Sequence, residues 1–169
     1  SLDSWVVSKV TNMSNMFNLA THFNNGEDDG SSSKPLTWDV SNVTDMSHMF
    51  YSAYSFIQSL ESWNVSNVTD MSHMFYNAYM FNQSLDSWVV SKVTNMSNMF
   101  NQARSFNNGE DGLSSSKPLT WDVSNVTDMS SMFFAAKYFN QSLDSWVVSK
   151  VTNMSSMFNQ ATHFNNGED

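Results

Sequence analysis

The sequence predicts an α/β solenoid of about six stacked 25-residue coils, and three observations support this fold class. The 169 residues contain six tryptophans, spaced 33, 25, 25, 33 and 25 residues apart. Every unit repeats the pattern W-x-V-S-x-V-T-x-M-S-x-M-F-x-x-A-x-x-F. One such unit cannot bury its apolar face alone, whereas stacked neighbours can, so the whole chain is predicted to form a single tandem array. The units begin at Trp5, Trp38, Trp63, Trp88, Trp121 and Trp146.

The start of each unit is predicted to be a short strand. In the third unit, Leu60, Trp63 and Val65 follow L-x-x-L-x-L spacing, which places the last two on one side of a strand. Six such strands would form a parallel sheet near the tryptophans, roughly 24 Å across at about 4.8 Å per step. The tryptophan column could form a stacked aromatic rail for a ligand, but apolar residues at element spacing favour a core position.

The Met-Phe segment that follows is predicted to be a short helix. Its apolar residues stand at i, i+3, i+4 and i+7, the stripe of an amphipathic helix. Thr69 or Asp70 could cap the N-terminus of this helix in the third unit. An all-β solenoid, with extended Met-Phe segments, is the alternative. The stripe of the third unit consists of Met71, Met74, Phe75 and Ala78.

Polar columns are predicted to satisfy the backbone between coils. Asparagine follows the closing phenylalanine in five of six units, with Ile57 as the departure. Buried turns need hydrogen-bonding groups, and an amide stacked one coil apart supplies both a donor and an acceptor. The invariant serine and threonine columns are predicted to do the same. The asparagines are Asn24, Asn82, Asn107, Asn140 and Asn165.

Composition excludes several classes of function. Sixteen acidic and seven basic residues give a net charge of −9, which argues against nucleic-acid binding because phosphate contacts need clustered Lys and Arg. No apolar run approaches the roughly 20 residues that span a bilayer. There is no cysteine, and no His or Lys recurs beside the Ser and Thr columns to activate them. We therefore predict no enzymatic activity and no catalytic residues.

Two insertions of eight residues account for the longer spacings, and they are predicted to be solvated loops at 24–34 and 107–117 on one edge of the stack. The first partly resembles a calcium-binding loop, but Leu36 stands where the pattern needs a final glutamate. An acidic surface loop is the competing interpretation, and calcium is the one cofactor considered. The candidate ligands are Glu27, Asp28, Asp29, Glu110 and Asp111.

Two histidines share a column in adjacent coils. His48 and His73 would lie about 5 Å apart, at one strand spacing. Two imidazoles without a third ligand make a poor metal site, and other units place Asn or Ser in this column. The column is therefore interpreted as polar and exposed.

Several N-x-[ST] sequons could carry glycans if the chain is secreted by a eukaryote. The same residues also arise from the repeat pattern itself, so the sequons need not be modified. The candidate acceptors are Asn42, Asn64, Asn67 and Asn125.

A family resemblance rests on three stretches of the repeat: WDVSNVTDMSHMF (38–50), WNVSNVTDMSHMF (63–75) and WDVSNVTDMSSMF (121–133). They resemble the BspA-type leucine-rich repeats, and more closely the surface-lipoprotein branch of that family. The resemblance implies a right-handed, leucine-rich-repeat-like solenoid in an extracellular or cell-surface setting, with adhesion as one role. The units that begin at Trp5, Trp88 and Trp146 depart from the pattern, because K-V-T-N replaces N-V-T-D.

Two functions remain open. The first is a structural surface protein that associates with itself, end to end or laterally, into a fibre, appendage or surface layer. The second is an adhesion module that holds a glycan or protein on the strand face carrying Asp39, Asn64 and Asp122. Repetition of the exposed residues favours the first function. The sequence enters in mid-repeat and shows no polar capping unit, so we also expect a longer array.

Overall fold

The computed structural model describes residues 1–27, 30–112 and 114–168. These residues form six coils that stack on one another, one coil per tryptophan. We number them coil 1 to coil 6, from the coil of Trp5 to the coil of Trp146. Backbone hydrogen bonds join each coil to the next along the whole stack. The coils span 1–34, 35–59, 60–84, 85–117, 118–142 and 143–168.

The predicted α/β solenoid is wrong, and so is the all-β alternative. The described residues contain no helix and no strand longer than one residue. Their only β pairing is a series of isolated parallel bridges, one residue per coil, seven positions after each tryptophan rather than beside it. The fold is a stack of loop-rich coils. The bridges are Asn12–Asp45, Asp45–Asp70, Asp70–Asn95, Asn95–Asp128 and Asp128–Asn153.

The Met-Phe segment consists of consecutive turns, and its hydrogen bonds explain why no helix forms. The Met74 N–H donates to the Met71 carbonyl three residues back (3.2 Å), not to a carbonyl four residues back as in an α-helix. The Phe75 N–H leaves the coil and donates to the Met99 carbonyl of coil 4 (2.9 Å). The donors thus alternate between the coil itself and its neighbour. The turns still direct every apolar residue of the stripe inward, so the helical spacing arises without a helix.

Left-handed backbone conformations occur at two fixed positions in every coil. In coil 3 they are His73 and Asn77, both with φ of 58°. L-residues adopt this region rarely, and Asn, Asp and His tolerate it best. A helix cannot pass through two such residues only four positions apart. The same positions in the other coils are occupied by Asn15, Leu19, His48, Ser52, Asn98, Gln102, Ser131, Ala135, Ser156 and Gln160.

The core is a ladder of aromatic and methionine side chains between the coils. Phe75 stacks on Phe50 and Phe100 at centroid distances of 5.6 and 5.5 Å, and on Phe81 of its own coil at 4.2 Å. The core interpretation of the tryptophans is confirmed for the four inner coils, where each is 2–4% exposed. The Trp63 indole N–H also donates to the Leu36 carbonyl of the preceding coil (2.6 Å).

The predicted threonine and asparagine ladders are present, whereas the hydroxyls of the serine column form no hydrogen bond between coils within the described residues. The Thr44 N–H and hydroxyl both donate to the Thr11 carbonyl, and this pairing repeats between all six threonines. In the asparagine ladder, Asn107 Oδ1 accepts from the Asn140 N–H (2.9 Å). The serine column acts through its carbonyls rather than its hydroxyls: Asn67 Nδ2, for example, donates to the Ser41 carbonyl (2.8 Å).

The K-V-T-N units place complementary groups beside their neighbours. Asn12, Asn95 and Asn153 donate to Asp45, Asp70 and Asp128 respectively. Burial raises the pKa of Asp128, but hydrogen bonds from Ser130 and Asn153 more than offset it and hold that pKa below its ordinary value. Lys92 and Lys150 donate to the amide oxygens of Asn67 and Asn125 at 2.6 Å. Replacing N-V-T-D with K-V-T-N therefore supplies donors to a neighbouring coil: the following coil for Asn12, and the preceding coil for the others.

Candidate functional site

The proposed ligand-binding residues occupy one exposed column, directly after the tryptophans. Asp39 and Asp122 each use Oδ1 to accept from the N–H of a serine two residues on, at 3.1 Å in both cases. Hydrogen bonds from the hydroxyls of these serines hold the pKa of both carboxyls below their ordinary value. Asn64 Oδ1 accepts from the Ser66 N–H in the same way (3.2 Å). All three side chains therefore close local turns.

The glycosylation candidates separate into two groups. In the first group, the side-chain Nδ2 donates a hydrogen bond of 2.8 Å to a serine carbonyl of the preceding coil; this group consists of Asn42, Asn67 and Asn125. Asn64 is exposed, and its amide nitrogen forms no hydrogen bond within the described residues. A glycan on Asn64 would displace no hydrogen bond between coils, so this residue fits an acceptor best.

Each insertion begins at buried asparagines, and its later described residues are exposed or half-buried. Asn25 and Asn108 are fully buried with φ of 51° and 54°. Asn108 Oδ1 accepts from the Leu85 N–H, and its amide nitrogen donates to Asp86 and to the Lys117 carbonyl. Asn25 makes the equivalent contacts in coil 1. These amides tie the insertion to the start of its own coil.

A buried glutamine from the following coil closes each insertion. Gln141 donates to Asn107 Oδ1 and the Ser114 carbonyl, and its own oxygen accepts from the Lys117 N–H. Gln58 repeats this arrangement at the first insertion. The two insertions are therefore equivalent in position and in anchoring.

Two of the three calcium candidates that the structure describes face lysines. Glu27 lies 2.8 Å from Lys34 Nζ, and Glu110 lies 3.6 Å from Lys117 Nζ. Hydroxyl hydrogen bonds from Ser114 and Ser116 lower the pKa of Glu110. Asp111 is exposed, while Asp28 and Asp29 lie outside the described residues. Among the residues described, no group of three or more His, Asp or Glu is placed to hold a metal ion.

The paired histidines stack as ring on ring. His48 and His73 have centroids 4.4 Å apart and an interplanar angle of 7°. The Nδ1 atom of His73 is buried and has no hydrogen-bond partner within the described residues. Burial lowers the pKa of His73, and the neighbouring His48 lowers it further. The column is thus partly buried, not simply exposed as predicted.

An edge that the sequence reasoning missed lies sixteen residues after each tryptophan. We call it the Tyr–Arg edge: Tyr54, Tyr79, Arg104 and Lys137, in coils 2 to 5. Tyr54 and Tyr79 stack at 5.0 Å, and the Arg104 guanidinium lies 5.1 Å from the centre of the Tyr79 ring. The sequence did contain a signal for this edge: the residue in this column changes from coil to coil, whereas the residues in the core columns repeat.

The two outer surfaces of the stack are complementary. In coils 1 to 5, four N–H groups per coil donate to carbonyls of the next coil. The equivalent N–H groups of coil 6 have no acceptor within the described residues, and the equivalent carbonyls of coil 1 have no donor there. The donors are Met154, Ser156, Phe158 and Gln160, and the acceptors are Asn12, Ser14, Met16 and Asn18.

Fold and surfaces together define a tandem-repeat protein built from stacked, loop-rich coils. The chain belongs to the family described as "Mycoplasma protein of unknown function, DUF285", whose family model matches residues 28–119 and 114–168. No curated protein and no solved structure matches the chain. Within the described residues, no helix has the length and apolar character needed to cross a membrane.

Proposed function

We propose that this chain is part of a BspA-type surface repeat protein that builds an extracellular fibre or surface layer by stacking coil upon coil. The observation that carries the proposal is the complementarity of the two outer surfaces. Four donors face outward on coil 6 and four acceptors face outward on coil 1, at the spacing that already pairs every inner coil. A further coil, of the same chain or of a second copy, would satisfy both sets.

The threonine ladder supports the same stacking, and its hydrogen bonds run in the opposite direction, from each coil to the coil before it. Within the described residues, the Thr152 carbonyl of coil 6 accepts no hydrogen bond, and the Thr11 N–H and hydroxyl of coil 1 donate none. Contact between the two surfaces would therefore join donors and acceptors in both directions. Such a head-to-tail contact is heterologous, and if it repeats the coil-to-coil step without closing into a ring it generates an open filament.

Apolar side chains cover the same surfaces. Trp5 of coil 1 is 52% exposed and Met154 of coil 6 is 42% exposed, although their equivalents in coils 2 to 5 are buried. Stacking would remove this apolar area from water, which is favourable by roughly 25 cal/mol for each Å². The surface location is part of the proposal, and family membership and the repeat motif support it.

The test is the size of the 169-residue chain as a function of concentration. Sedimentation velocity and electron microscopy should show species that lengthen as concentration rises. Met154→Glu places a charge on the stacking surface of coil 6 and should leave monomers. Met80→Glu is the matched control, because Met80 is 52% exposed on the side of coil 3 and should still permit association. A wild-type chain that stays monomeric at high concentration contradicts the proposal.

A further inference from the structure

We propose that the Tyr–Arg edge binds an anionic linear polysaccharide, whose carboxylate or sulfate groups contact Arg104 and Lys137. This binding site meets the stacking surface of coil 6 only at Gln160, and it goes beyond the proposed structural function. Three features support the inference: the distribution of charge, the shape of the groove, and the hydrogen bonds between coils that already occupy the backbone groups along the edge.

Charge is segregated along each coil. The segments from the first methionine to the closing phenylalanine of every unit contain none of the sixteen acidic residues. They contain all four histidines, the single arginine and Lys137. In a chain of net charge −9, these segments carry no carboxylate of their own to repel an anion. The six segments are 13–23, 46–56, 71–81, 96–106, 129–139 and 154–164.

The two cations are held in place without being neutralised. Both ion pairs of the described residues lie in the insertions, and neither involves Arg104 or Lys137. Arg104 lies over the Tyr79 ring, and Lys137 Nζ lies 5.4 Å from the centre of the Tyr138 ring. Cation–π contacts fix the direction of a side chain while leaving its N–H donors available. A guanidinium held in this way can pair with a carboxylate or sulfate through two hydrogen bonds.

The groove beside these cations is open, and four of its five lining residues carry polar side chains. It has a volume of about 280 Å³ and is lined by Arg104, Ala135, Lys137, Gln160 and Thr162. Small-molecule pockets enclose most of their ligand, which this groove does not. An open groove with guanidinium, ammonium, amide and hydroxyl donors suits a polymer that passes across it.

The edge continues from the groove along the tyrosines. Tyr51 stacks on Tyr76 at 4.6 Å, in a column next to the stacked Tyr54 and Tyr79. Stacked rings present their edges and hydroxyls rather than their faces. Two of these hydroxyls accept hydrogen bonds from amides of the next coil: Tyr54 from Asn77 and Tyr76 from Gln102. The result is a row of polar groups repeating once per coil, which suits a hydroxyl-rich chain lying along the stack.

The backbone along the edge disfavours an acidic peptide as the ligand. An extended peptide gains affinity by pairing with unpaired backbone groups at a sheet edge. Here the groups are already paired between coils: the Met80 N–H donates to the Tyr54 carbonyl, and the Ser105 and Tyr138 N–H groups donate to Tyr79 and Arg104. Recognition must therefore come from side chains, as in polysaccharide binding.

The experiment measures binding of heparin and polygalacturonate oligosaccharides by calorimetry, with dextran as the neutral probe. Using the Met154→Glu chain keeps self-association out of the measurement. We expect binding to both anionic probes, none to dextran, and weakening as salt is raised. Arg104→Thr with Lys137→Thr should weaken binding about tenfold or more, since two charge-assisted contacts are lost. Threonine occupies this column in coils 1 and 6, so the substitution fits the fold.

The matched control is Lys92→Asn with Lys150→Asn. It removes the same charge from another column, where asparagine already occurs in coils 2, 3 and 5. Binding by this control should stay within about twofold of the parent chain. The proposal is overturned if neither anionic probe binds at low salt, or if the control loses as much affinity as the test variant. It is also overturned if Arg104→Thr with Lys137→Thr abolishes association of the wild-type chain while the Met154→Glu chain binds no polysaccharide, because the edge then contacts a second copy.

Discussion

Coils 3 and 6 carry the same repeat, yet their core residues are in different environments. Met71 of coil 3 is fully buried, whereas Met154 in the same column of coil 6 is 42% exposed. The Phe75 N–H donates to coil 4, but the Phe158 N–H has no acceptor within the described residues. Both differences have one cause, because within the described residues coil 6 is contacted by another coil on one side only. A coil of this protein is thus completed by the coil that follows it.

The largest effect should come from removing a core ring in each of these coils. Phe75→Ala deletes a fully buried ring that stacks on three other phenylalanines, and should cost about 3–5 kcal/mol of unfolding free energy. Phe158→Ala deletes a half-buried ring and should cost about 1–2 kcal/mol. Urea unfolding followed by tryptophan fluorescence measures both. Equal costs would show that the outer coil is packed as tightly as the inner one.

A second pair of variants compares a coil that follows an insertion with one that does not. Gln141→Ala removes the acceptor of the Lys117 N–H and one of the two side-chain donors to the Ser114 carbonyl, which keeps Asn107 Nδ2, and should cost about 2–3 kcal/mol. Gln83 occupies the equivalent position in coil 3 but forms no hydrogen bond within the described residues, so Gln83→Ala should cost less than about 0.5 kcal/mol. The same unfolding assay applies. A small cost for both variants would mean that the glutamine does not anchor the insertion.

A third pair tests the threonine ladder. Thr69→Val keeps the shape of the side chain but removes the hydroxyl that donates to the Thr44 carbonyl (3.1 Å), at a cost of about 1 kcal/mol. In Thr11→Val the hydroxyl removed has no partner within the described residues, so stability should be nearly unchanged. Thermal unfolding at one fixed concentration compares them. If Thr11→Val is the more damaging change, the ladder is not what the hydroxyl stabilises.

The smallest effect concerns pH and the stacked histidines. Burial lowers the pKa of His73 in the folded chain, so the unfolded chain binds its proton more readily. The stability that His73 contributes is complete above its unfolded pKa of about 6.5, and is lost as the pH falls through the lowered folded value. His73→Asn keeps a residue suited to positive φ and should remove this component. The check is the unfolding free energy of both chains between pH 7.5 and 5, where parallel curves would contradict the assignment.

Several features followed from the sequence because they repeat in one dimension. The tryptophan spacing identified the coils, and the invariant columns identified Phe75, Met71 and Trp63 as core residues. The polar columns predicted the threonine and asparagine ladders, since every buried backbone group needs a partner. Family membership was predictable for the same reason: a repeated motif is local, and the family model matches it.

The candidate site was less predictable than the core. Asp39 and Asn64 were chosen because they alternate with core residues, and the structure shows each of them closing a turn. The Tyr–Arg edge was missed because Tyr79 and Arg104 are 25 residues apart in sequence and meet only when coils stack. The insertions look solvated by composition, and their described residues beyond the asparagines are exposed or half-buried, but composition does not reveal that Asn108 and Gln141 anchor them through hydrogen bonds between residues 23 and 34 positions apart.

The sequence by itself determined the repeat, its core columns, its ladders and its charge; the tertiary structure decided the backbone conformation. The stripe of Met71, Met74, Phe75 and Ala78 has the same spacing in a helix and in consecutive turns. A helix satisfies its N–H groups within the segment, whereas here those of Met71, His73, Phe75 and Asn77 bond to coil 4. That choice depends on a neighbouring coil being present to accept them, and no pattern within one repeat records it.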